Sequence, residues 1–204
     1  MNAGAFIFTS GIDLPAKDVF WRPEANPFVL ATEARPVAAD HPDAFDVRRF
    51  GSFATVLCGG GQEHVLFGDG LRHLQLTVTA GSVLDGPVCL HYPLSGVRRM
   101  EAKVLTLQRL SGLCRLGRLP LSLYPPERRA GRWAMMLRAF DGAAAGASQR
   151  DIAAVLYGER AVREDWQAGF LRTRVQRLLS GARTMVRGGY RKLLDPQERG
   201  VRGG

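Results

Sequence analysis

Between Leu171 and Lys192 the chain carries seven positive side chains and no acidic one. They are Arg172, Arg174, Arg177, Arg183, Arg187, Arg191 and Lys192. A guanidinium presents a planar fork of donors that suits phosphate oxygens or the O6/N7 edge of guanine better than an ammonium does. The chemistry on offer is recognition of a polyanion. The spacing adds a scaffold. Leu171, Val175, Leu178, Leu179, Ala182, Met185 and Val186 fall within one arc of about 120° at roughly 100° per residue, and Arg172, Gln176, Arg183 and Arg187 occupy a separate arc about 60° wide. That pattern predicts a helix from about Gly169 to Arg187, ended by Gly188-Gly189, with a buried stripe and a basic stripe. Arg172, Thr173, Gln176 and Arg177 lie near its start and are candidates for base edges. Arg183, Arg187, Arg191 and Lys192 suit phosphates, and Arg174 completes the basic set. Gly181 interrupts the pattern and is expected to kink the helix. The plainer role of any one such arginine is a surface residue laid along its own helix, and a simple bundle with a solvated basic face would share this pattern.

Other chemistries find less support. His41, His64, His73 and His91 all precede the basic run. His64, Asp69 and His73 could converge, but polar residues on the wet face of a sheet explain them more simply. Cys58, Cys89 and Cys114 are far apart, odd in number and form no CxxC pair, which argues against a disulfide framework and for a reducing compartment. Gly59-Gly60-Gly61 lacks the Lys-Ser/Thr that follows in a phosphate-binding loop, and there is no GxGxxG fingerprint or nucleophile elbow. The expectation is a protein without catalytic residues, metal or cofactor.

The elements that must position the basic run can be read from the rest of the chain. Residues 1–34, punctuated by Pro15, Pro23 and Pro27, read as an extended arm that packs through Phe20-Trp21. From Phe50 to Tyr92 the period is two. Strands are expected at Phe53–Cys58, His64–Phe67, Leu71–Thr79 and Val88–Tyr92, with turns at Gly59-Gly60-Gly61, Gly68-Asp69-Gly70 and Asp85-Gly86-Pro87. Gly96 to Leu116 reads as a helix. Beyond Leu119-Pro120, Pro125-Pro126 suits a helix start. Trp133, Met136, Leu137 and Phe140 form an inward face, and Asp141-Gly142 and Gly146 end that helix. Ser148-Gln149-Arg150-Asp151 has the form of a capping box before a short helix with Ile152, Ala153, Val155 and Leu156 inward, stopped by Tyr157-Gly158. Trp166 and Phe170 are expected to anchor about ten residues of connection to the basic helix. A capped helix, a connection and a basic helix are the parts of an expanded helix-turn-helix, in which the small Ala153 lets the two helices approach. Gln149 and Arg150 open the bracing helix, where backbone N–H groups can receive a phosphate.

Charge follows the same division. The formal net charge is +9 over 204 residues. Residues 1–118 hold 12 basic and 11 acidic side chains, a balance of +1, and residues 119–204 hold 16 and 8, a balance of +8. Localised positive charge favours encounter with phosphate backbones. No apolar run approaches the roughly 20 residues of a membrane span, and no signal peptide is evident.

Several blocks in order resemble the bacterial family known as domain of unknown function 2285. They are Leu121-Ser122-Leu123-Tyr124-Pro125-Pro126-Glu127-Arg128-Arg129, Arg132-Trp133, Gly146-Ala147-Ser148-Gln149-Arg150-Asp151-Ile152-Ala153, Leu156-Tyr157-Gly158, Trp166, Leu171-Arg172-Thr173-Arg174-Val175 and Gly188-Gly189-Tyr190-Arg191. Upstream, Arg72-His73-Leu74-Gln75-Leu76 and Leu84-Asp85-Gly86-Pro87-Val88 also look like this group. The resemblance covers most of residues 65–194. It implies a helix-turn-helix variant among the activators and anti-activators of integrative and conjugative elements of proteobacteria. Activators of this kind often carry a further N-terminal region, so the resemblance also implies a missing N-terminal half or a related regulator as partner.

The expected architecture is α+β: an extended arm over 1–34, a small antiparallel β-meander with a helix over 35–118, and an all-α helix-turn-helix domain over 119–204. The expected function is a cytoplasmic DNA-binding transcriptional regulator, an activator of mobile-element excision or transfer genes. Its partner is double-stranded DNA, with no membrane role, and homodimers on repeated half-sites are common for this motif. The alternative is an anti-activator or interaction module that binds a related regulator without touching DNA, suggested by the apolar residues Trp133, Phe140, Trp166 and Phe170.

Overall fold

A strand buried on one face alternates apolar and polar residues, and β4 (His73–Ala80) does so. Its Leu74, Leu76 and Val78 are at most 2% exposed. They meet Val65 and Phe67 of β3 (Gln62–Gly68) and Leu110 and Leu113 of α1 (Met100–Leu116) in the main core of a five-stranded sheet. The computed structural model describes residues 19–194. β2 (Ala54–Gly59) runs antiparallel to β3 across Gly60 and Gly61, whose φ of 62° and 74° a side chain would disfavour. The next turn closes on Asp69, whose carboxylate accepts the N–H groups of Leu71 and Arg72 at 3.1 and 2.8 Å. β3 then pairs antiparallel with β4.

The remaining strands correct the sequence reading. β1 (Val29–Pro36) sits between β4 and β5 (Val88–His91) in the order β2-β3-β4-β1-β5, parallel to β4 and antiparallel to β5. The sheet is therefore mixed, and residues 29–34 belong to a central strand instead of an arm. Val29, Leu30, Thr32 and Ala34 are all buried, so β1 is covered on both faces and loses the clean alternation that marks a half-exposed strand.

The supposed wet face of β4 is also covered. Gln75, Thr77 and, on β3, His64 are buried. Phe20 packs on this side with Leu57 and Leu66. Gln75 accepts the Trp21 N–H at 2.9 Å and donates to the Trp21 carbonyl at 2.8 Å, so an amide side chain takes the place of a neighbouring strand. His64 Nδ1 lies 3.1 Å from Thr77 Oγ1. The first 18 residues of the expected arm lie outside the described residues.

Pro126–Lys192 forms a second unit with its own core. Four helices build it: α2 (Ala130–Ala144), α3 (Gln149–Tyr157), α4 (Glu159–Asp165) and α5 (Phe170–Thr184). α2 starts at Ala130, four residues after the proline pair, and runs through Asp141-Gly142 to stop before Gly146 (φ 85°). Gly142 is packing and not punctuation, since a Cβ there would stand 3.2 Å from Ile152 Cγ1. Leu137 is 56% exposed, because Ala139 and Phe140, not Leu137, continue the stripe set by Trp133 and Met136. Val155 of α3 likewise points outward. α4 occupies most of the connection of about ten residues expected between the short helix and the basic one. Five of its seven residues are charged, leaving only Ala161 and the buried Val162 as an apolar signal. Among the described residues, no helix is long and apolar enough to cross a membrane.

Candidate nucleic-acid interface

α5 follows from its apolar stripe. Leu171, Val175, Leu178, Leu179 and Ala182 are buried against α2 and α3. Gly169, left-handed at φ 77°, turns the chain into the helix, and the Thr173 hydroxyl donates to its carbonyl at 3.0 Å. Gly181 does not kink the helix, which continues to Thr184. A Cβ at Gly181 would stand 2.8 Å from Met136 Cε, so the missing side chain seats a methionine of α2. The break comes later. Met185–Gly189 forms a π-turn with Gly188 at φ 112°, and a single helical turn follows over Arg191–Leu194. That turn shifts the phase of the stripe, which leaves Val186 54% exposed while Met185 still touches the core.

α3 braces this arrangement. Ser148 Oγ accepts the Asp151 N–H at 3.2 Å, and Asp151 Oδ2 accepts the Ser148 N–H at 3.0 Å, so the capping box is complete. The hydrogen bond from the Ser148 hydroxyl holds the Asp151 carboxyl below its usual range. Ala153 is fully buried where α3 nears its neighbours.

The predicted site residues are open to solvent. Arg150, Arg172, Thr173, Arg174, Gln176, Arg177, Arg183, Arg187, Arg191 and Lys192 are all exposed, and Gln149 is half-buried. Arg172, Arg174, Arg177 and Arg183 lie on α5, Gln149 and Arg150 open α3, and Arg187, Arg191 and Lys192 fall beyond the helix on the π-turn and the last turn. Among the described residues, no ion pair engages a basic residue of 170–192. Two of these arginines rest on rings. The Arg174 guanidinium lies 4.6 Å from the Tyr157 ring centre, and Arg172 lies 5.7 Å from that of Trp166. Such contacts orient a guanidinium without neutralising it.

Sequence reasoning missed one part. A groove of about 730 Å³ runs beside the start of α5, with Arg132 of α2, Tyr157 of α3, and Phe170, Thr173, Arg174 and Arg177 of α5 on its walls. Phe170, expected as an anchor, is 64% exposed because it precedes the first buried turn of α5. The groove has three guanidinium groups and no carboxylate in its lining. The sequence signals for Arg132 were its place one turn before Met136 and its part in the Arg132-Trp133 block of the resemblance, and neither assigned it to the interface. The pairing of α2 with α5 is what gives that place meaning.

The histidines do not assemble a site. His64 is buried on the sheet, and burial, aided by the nearby Arg22 charge, pushes its imidazole pKa down. Asp69 pairs with Arg72. Among the described residues, no group of three or more His, Cys, Asp or Glu is placed to hold a metal ion.

Comparison with known proteins adds the family. Residues 93–195 match the family model RovC_DNA-bd, described as "T6SS, Transcription factor, DNA binding domain". The match spans just over half of the 204 residues and takes in α1 to α5 with the basic helix. No curated protein matches the chain. The chain belongs to this family of DNA-binding transcription regulators.

Proposed function

We propose that this member of the RovC DNA-binding family is a sequence-specific transcriptional regulator that uses α3 and α5 as an expanded helix-turn-helix, with α4 filling the connection. The observation that carries this is the basic face of α5, exposed to solvent and held by a fully apolar underside. In this reading α5 enters the major groove. Arg172, Thr173, Gln176 and Arg177 meet base edges, and Arg183, Arg187, Arg191 and Lys192 meet phosphates. The first N–H groups of α3, at Gln149 and Arg150, take a phosphate of the flanking backbone. Ser148 and Asp151 fix that helix end without occupying those two donors.

The regulator acts by binding and performs no chemistry on its target. The resemblance to regulators of integrative and conjugative elements supports activation of mobile-element excision or transfer genes, and the family description supports secretion-system genes as the other target class. Selection of genomic fragments bound by the purified full chain tests the reading. The expected result is a recurring motif whose retention falls steeply with salt. Fragments next to transfer genes would favour the first target class and fragments next to secretion genes the second. Retention of no fragment above a random-sequence control, at any salt, would overturn sequence-specific recognition, and retention of neither would overturn DNA binding.

A further inference from the structure

The groove beside α5 offers a second row of positive charge. At roughly 100° per residue, Arg174 and Arg177 lie about 120–200° round the helix from Arg172 and Arg183. α5 therefore carries arginines on both flanks, with Thr173, Ser180 and Thr184 along the crest between them, all exposed. A helix is about 10–12 Å across with its side chains and the major groove is about 12 Å wide, so a helix lying in that groove has a phosphate wall on each side. A single basic flank could touch one wall only. The second flank of α5 is extended by a residue from another helix, Arg132 of α2, which lines the same groove as Arg174 and Arg177. Arg174 is stacked on Tyr157 at 4.6 Å, which aims its guanidinium before any ligand arrives.

We infer that Arg132 and Arg174 hold the phosphates of one DNA strand while Arg183, on the opposite flank, holds those of the other, with Tyr157 as the residue that positions Arg174. The inference rests on the DNA-binding reading above and adds α2 to the interface. The occupant follows from charge and continuity. The lining holds three guanidiniums and no carboxylate, and it shares Thr173, Arg174 and Arg177 with the first two turns of α5.

The test is fluorescence anisotropy of labelled duplexes, one selected and one unrelated, titrated with full-chain variants over a range of salt. Arg132→Ala and Arg174→Ala should each flatten the log–log salt dependence by roughly 0.9, the value of one lost phosphate contact. They should weaken both duplexes by the same factor, because a phosphate contact reads no sequence. Arg132→Lys should restore the slope. Tyr157→Leu should weaken binding as Arg174→Ala does, whereas Tyr157→Phe, which keeps the ring, should not. Arg138→Ala, an exposed arginine of α2 outside the groove, should leave the slope unchanged. If the wild type binds with a steep slope and Arg132→Ala and Arg174→Ala keep that slope, the second row is wrong and the DNA-binding reading stands. If the wild type shows no salt-dependent binding, both fall. Oligo-glutamate serves as a competing probe. If it binds the wild type more tightly than duplex does, and only that binding is lost in Arg132→Ala, the groove belongs to an acidic protein segment and the inference is overturned.

Discussion

The arginines of α5 were legible one by one because the run from Leu171 to Lys192 contains no acid to pair with them and its apolar positions keep helical phase. A base-reading contact has a signature different from a phosphate contact. Arg172→Ala and Gln176→Ala should each cost about 1–3 kcal/mol on the selected duplex and much less on an unrelated one, since a bidentate contact discriminates among base pairs. Competition titrations with single-base variants of the motif measure this, and equal losses on every duplex would move both residues to the phosphate class. His64 was misread at the same scale. Its neighbours alternate as they would on a wet face, but the segment through Phe20 and Trp21 covers that side of the sheet, and nothing local to His64 encodes so distant a cover. Burial lowers its folded pKa below the usual value near 6.5. The unfolded chain then binds more protons as pH falls through that value, so the stability contribution is intact above about pH 6.5 and declines below it. Thermal melts between pH 7.5 and 5.5 should show the sheet unit losing stability toward the acid end. His64→Gln, which keeps a partner for Thr77 but cannot titrate in this range, should flatten that dependence.

At the scale of elements, punctuation by glycine was the least reliable signal, because one residue type serves opposite purposes. Gly60-Gly61 and Gly146 stop elements through positive φ, whereas Gly142 and Gly181 lie inside helices and make room for Ile152 and Met136. Gly181→Ala tests the distinction. Met136 Cε is the end of a flexible side chain and can shift from the 2.8 Å approach, while the helix gains about 1 kcal/mol of propensity. Stability should be unchanged or slightly raised, with DNA affinity intact. A sharp loss of affinity would restore the kink. Gly81 is the contrasting case. At φ 77° its Cβ would stand 1.9 Å from the Ala34 carbonyl oxygen, with no side chain able to yield, so Gly81→Ala should cost more than about 3 kcal/mol in the sheet unit by chemical denaturation. The capping box was readable outright because its partners are three residues apart. Ser148→Ala should cost about 1 kcal/mol of the helical unit's stability, seen as an earlier helical transition in denaturant. α4 and β1 escaped notice for opposite reasons. α4 has too few apolar residues to show a period, and β1 has apolar or buried residues on both faces.

For the whole molecule, the division of charge says more than its sum. The +1 balance before Leu119 and the +8 balance after it put the attraction for a polyanion in the half that holds α2 to α5. A phosphate backbone responds to such a distribution through counterion release, which counts contacts, whereas the net charge alone does not. Six side chains stand in phosphate roles: Arg132, Arg174, Arg183, Arg187, Arg191 and Lys192. At about 0.9 per phosphate they should give the full chain a log–log salt slope near −5 on duplex DNA. Anisotropy from low to moderate salt measures it directly. A slope shallower than about −2 would mean that most of the ridge stays in water when DNA is bound, and that the chain reads its target through one flank of α5 alone. A slope steeper than about −7 would call for basic residues beyond these six, and Arg128 and Arg129, exposed just before α2, are the first to examine.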